Sequence, residues 1–106
     1  METKEFIESA EIVNEEDKEC GNAFLLSIGS YGEHRFVVYC RELQDALEIL
    51  GDYCKDKGYK GLLEMDYSKL MEFYDNDEDC ISENYFPVNG GEYYLRMPGY
   101  VREVKL

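Results

Sequence analysis

The sequence predicts an α+β fold, an antiparallel sheet of about five strands carrying two to three helices on one face. Glu42 to Lys57, ELQDALEILGDYCKDK, has the apolar spacing of an amphipathic helix. Ala23 to Ile28 and Arg35 to Cys40 are apolar, β-branched or aromatic runs around the turn residues Gly29-Ser30-Tyr31-Gly32, which reads as a hairpin. Short strand-like runs at the end of the chain are punctuated by Asn89-Gly90-Gly91 and Pro98-Gly99. Strands grouped this way, rather than alternating with helices, point away from a parallel sheet.

In chain order, Phe6, Ile7, Ala10 and Val13 recur at helical spacing and predict a helix over 3–14. Residues 14–22 carry Glu15, Glu16, Asp17 and Glu19 against Lys18 and read as an exposed acidic linker ahead of a core over 23–106. The whole chain, 1–106, is then expected to form one domain. In the central helix, Leu43, Ala46, Leu47, Leu50, Tyr53 and Cys54 share one side, at roughly 100° per residue. Glu42, Asp45, Glu48, Asp52 and Asp56 share another. Lys57 and Gly58 form its stop signal, and Tyr59 is placed for the hydrophobic contact of such an end. Tyr59 to Leu63 reads as a short extended connection, and Asp66 caps a predicted helix from Tyr67 to Tyr74. Tyr85 to Val88, Glu92 to Met97 and Tyr100 to Lys105 are the remaining strands. Val101 and Val104 break strict alternation, which calls for a bulge or an edge position in the last.

Acids outnumber bases 24 to 11, a net charge of −13 on 106 residues. Such a charge disfavours direct binding to nucleic acid or anionic membranes and favours a basic partner. The plain alternative is that it serves solubility. No apolar run marks a signal peptide or a membrane span, so a cytoplasmic setting with Cys20, Cys40, Cys54 and Cys80 reduced is expected. The cysteines lack a close pair for zinc, and neither metal nor cofactor is expected.

Asp75, Asp77 and Asp79 resemble the start of a calcium loop. Cys80 stands where that loop needs glycine and Phe86 where it needs glutamate, so a solvated acidic loop is the reading, with weak divalent binding left open. His34 has no serine or cysteine in a recognisable nucleophile context and reads as a surface histidine. Most of the 10 tyrosines suit half-buried strands, but Tyr31 at the hairpin tip suits an interface. Along the central helix, like charges three or four residues apart repel by a few tenths of a kcal/mol per pair, and they also form a rigid row spaced at about 5–6 Å.

The run VVYCRELQDALEIL and the later YYLRMPGYVREV resemble a pattern in small acidic proteins of phages and mobile elements. No catalytic residue carries over. The resemblance implies an anti-CRISPR or anti-restriction setting, in which some inhibitors imitate nucleic acid. The expected function is thus a non-enzymatic inhibitor that occupies a basic, nucleic-acid-binding surface of a defence protein. Its expected contacts are the helix row Glu42, Asp45, Glu48, Asp52 and Asp56, the loop Asp75, Asp77 and Asp79, and Tyr31. An immunity protein or antitoxin for a basic toxin is the alternative within the same class. A small enzyme or ligand-binding domain with a tyrosine-lined pocket is the alternative from another. A homodimer is compatible with all of these.

Overall fold

The computed structural model describes residues 2–29, 33–59, 61–64, 85–88, 93–96 and 99–106. Its elements are α1 (Thr3–Ser9), β1 (Glu11–Ile12), a 3₁₀ helix (Glu15–Cys20), β2 (Asn22–Ile28), β3 (His34–Tyr39), α2 (Leu43–Lys57), β4 (Leu63–Glu64), β5 (Tyr85–Val88), β6 (Tyr93–Arg96) and β7 (Tyr100–Lys105). The α+β class holds. Tyr31, the helix expected over Tyr67 to Tyr74, the Asp75, Asp77 and Asp79 loop, Cys80 and the turn at 89–91 lie outside the described residues.

The expected single antiparallel sheet is corrected to a mixed four-stranded sheet, ordered β1-β3-β2-β7, and a three-stranded antiparallel sheet, β4-β6-β5. The mixing comes from β1, which runs parallel to β3 with Glu11 opposite Phe36 and Ile12 opposite Val37. The helix expected over 3–14 therefore ends at Ser9, and Ala10 is already extended at ψ 160°. Ile12 packs with Phe6 and Ala10 on one face of the sheet, whereas Val13 packs with the α2 core on the other. A two-residue alternation of this kind needs a strand, because one helix cannot serve both faces.

The helices consequently do not share one face. Phe6 of α1 packs with Ala23, Leu25, Val37 and Tyr39. On the opposite face, α2 packs Ala46, Leu47, Leu50 and Cys54 against Phe24, Leu26, Phe36 and Val38. β2 is buried along its whole length between these two layers. Val88 and Leu95 bring the second sheet into the α2 core. Gly51 permits that approach, since a Cβ there would lie 3.0 Å from Val88 Cγ2.

Gly58 closes α2 at φ 77°, donating its N–H to Lys55 O while Tyr59 N–H reaches Cys54 O. This pair of bonds satisfies carbonyls that a helix end leaves open. At the other end the apolar stripe outruns the core, so Leu43, expected inside, is 38% exposed. β7 pairs with β2 without a bulge from Tyr100 to Lys105, so its irregular valines reflect an edge position.

Candidate functional site

The acidic segment expected as a linker over 14–22 contains the 3₁₀ helix Glu15–Cys20, and two buried asparagines, Asn14 and Asn22, flank it. Asn14 accepts from Tyr39 N–H through Oδ1 (2.8 Å) and donates through Nδ2 to Tyr39 O (2.7 Å). Its side-chain amide thus replaces a neighbouring strand just where β1 stops, one step beyond the bond from Val13 N–H to Val37 O. The same Nδ2 lies 2.9 Å from Asp17 Oδ2 and ties the helix to that anchor. Asn22 donates to Cys40 O (3.0 Å) and Arg41 O (3.4 Å), where β3 leads into α2. Replacing Asn14 with alanine orphans the buried N–H and C=O of Tyr39, each worth about 1–3 kcal/mol. Urea titration is expected to show a loss of that size, and an unchanged midpoint would remove Asn14 as the anchor.

These anchors set an acidic wall opposite α2. Glu16, Asp17 and Glu19 line one side of a groove of about 590 Å³, and Asp45, Glu48 and Asp52 line the other. Tyr39, Cys40 and Ile49 are also in its lining, with Arg41 as a cation. Glu42, at the N-cap of α2, and Asp56, in its last turn, are exposed like the other three, but they lie outside the groove. The predicted row is thus brought together at its centre, with its ends extending past the concavity. Glu16, Asp17 and Glu19 are the residues that the sequence reading did not assign to the site. Their charge was visible in the composition, but their position opposite α2 depends on the Asn14 and Asn22 bonds.

A smaller hollow of about 280 Å³ is lined by Ser9, Glu11, Glu33, His34, Arg35, Phe36 and Tyr59. Beside it, the Tyr53 and Tyr59 hydroxyls both donate to the Glu11 carboxylate. Phe36, Tyr53 and Tyr59 form a closed trio with each pair of ring centroids 6.3 Å apart. These tyrosines fill space and bind β1 to α2. His34 is exposed, as the sequence suggested.

The thiols are arranged for packing. Cys20, Cys40 and Cys54 are free, and burial pushes Cys40 up to about 11 and Cys54 up to about 12. The Asp45 charge adds to the rise at Cys40, against a bond to the Glu42 backbone that opposes it. Burial and then the Glu11 hydrogen bond raise Tyr53 as well. The folded state holds these groups neutral more strongly than the unfolded chain does. Their stabilising contribution is therefore complete below the ordinary thiol value of 9.0 and is lost as pH rises towards 11 and 12. Melting temperature is expected to fall steadily above pH of about 9, and a flat profile to about pH 11 would contradict this. Among the described residues, no group of three or more metal-binding side chains is assembled and no helix is long and apolar enough to cross a membrane.

No family model matches the chain, and neither the curated proteins nor the solved structures provide a match.

Proposed function

We propose that the chain is a non-enzymatic acidic inhibitor that holds the basic, nucleic-acid-binding surface of a partner protein, its carboxylates standing where phosphates would. The observation that carries this reading is the double wall of Glu16, Asp17 and Glu19 facing Asp45, Glu48 and Asp52. Carboxylates rigidly held on both sides of a groove strengthen the field inside it and attract lysine and arginine side chains. The continuation of the α2 row to Glu42 and Asp56 offers further contacts along a wider basic surface. A phage-encoded anti-CRISPR or anti-restriction role fits this chemistry. The concave form of the site supports the second reading, an immunity protein or antitoxin that receives a protruding basic element of a toxin.

Nucleic-acid competition distinguishes the two. Captured partners are expected to be basic proteins, to be released by raised salt, and to be displaced by duplex DNA or structured RNA. Release by salt without displacement by either nucleic acid would favour the toxin reading. Capture indifferent to both would overturn the electrostatic site itself.

A further inference from the structure

The outer edge of β7 has a backbone and charge pattern suited to a second copy of the chain. Among the described residues no strand pairs with this edge. Leu106 N–H donates to Gly21 O (2.9 Å), which fixes the phase of the β2–β7 ladder. Tyr100, Arg102 and Val104 accordingly turn their backbone groups towards β2, and Val101, Glu103 and Lys105 turn theirs outward. Tyr100, Val101 and Leu106 are, with Leu43, the exposed large hydrophobics among the described residues. The edge is also a locally basic stretch of an acidic chain, since Arg102 and Lys105 outnumber Glu103. Repulsion between two copies is therefore less severe here than at the acidic groove.

We propose that two copies join antiparallel through β7, with Val104 opposite Val104 of the second copy on the two-fold axis. In that register Glu103 and Lys105 of the second copy face each other and exchange both backbone hydrogen bonds, and symmetry repeats the pair. Arg102 lies opposite Leu106 on the α1 side. Shifting the strands by two residues sets Glu103 against Glu103, and a further shift sets Arg102 against Arg102. Directly opposed like charges disfavour both alternatives. Sliding once more centres the pair on Val101 and leaves Glu103 opposite Gly99, with no opposite charge. Within one copy Lys105 Nζ is 2.9 Å from Glu103 Oε1, so both side chains already lie on the face where the intercopy pairs form.

Sedimentation equilibrium of the full chain over a concentration series, at physiological ionic strength, tests the proposal. The parent is expected to approach twice the monomer mass as concentration rises. Lys105→Glu places carboxylates opposite one another in both symmetric pairs and is expected to weaken the dimer by about tenfold or more. Combining Lys105→Glu with Glu103→Lys exchanges the charges and is expected to restore it. A parent that stays monomeric at every concentration, leaving the edge to a different protein, would overturn the proposal. So would a Lys105→Glu dimer as tight as the parent's, or a double variant as weak as the single. Circular dichroism confirms that each variant is folded, which these exposed side chains favour.

Discussion

Replacing Leu50 with alanine is expected to destabilise the protein by about 2–5 kcal/mol, a large share of the roughly 5–15 kcal/mol that holds a domain of this kind together. Leu50 is fully buried in the α2 core, among residues contributed by both sheets. Truncation there loses the transfer energy of the side chain and opens a cavity that neighbours on several elements must close together. Leu47 is equally enclosed and should behave alike. Leu43→Ala, on the same stripe but 38% exposed, is expected to change stability by well under 1 kcal/mol. Urea titration of the three variants checks the contrast. Similar losses at Leu43 and Leu50 would show that the first turn of α2 is part of the core.

The second large effect concerns the partner. Replacing Asp45, Glu48 and Asp52 together with lysine turns one wall of the groove basic opposite Glu16, Asp17 and Glu19. Under the proposed function, three attractive contacts become repulsive and binding is expected to disappear. All three side chains are exposed, so the fold is expected to survive. The new lysines also face carboxylates across the groove, which relieves part of the present repulsion. Neutral replacements, Asp45→Asn, Glu48→Gln and Asp52→Asn, should weaken binding less and flatten its dependence on salt. An affinity series with circular dichroism as control decides the matter. A folded lysine variant that binds like the parent would exclude this groove as the contact surface.

How much was legible depended on how local each signal is. α2 and its glycine stop were readable because period and cap both lie within one segment. β2, β3 and β7 followed from short apolar runs between turn residues. β1 was not readable, since Glu11–Ile12 is too short to display alternation and exists through its pairing with β3. Assigning Phe6, Ile7, Ala10 and Val13 to one helix failed for the same reason, because the spacing does not say that Val13 belongs to the opposite layer. The α2 half of the groove was visible in the sequence. The other half depends on Asn14, whose bonds to Tyr39 span 25 residues. Likewise, Glu11 meets Tyr53 and Tyr59 across 42 and 48 residues, which makes their partnership a property of the finished packing.

The position of β2 has a kinetic consequence. Its two hydrogen-bonding sides are completed at very different times in synthesis, by β3 a few residues later and by β7 near the other end of the chain. The hairpin and α2 can condense early, through short loops with little entropy to overcome. Until β7 arrives, Leu25 and Leu26 lie on a strand with one ladder unfilled, available to any extended segment nearby. Docking of β7 fills that ladder, and of the two pairings that β2 makes it spans the greater distance along the chain. Conditions that delay it should favour aggregation even when the finished fold is stable.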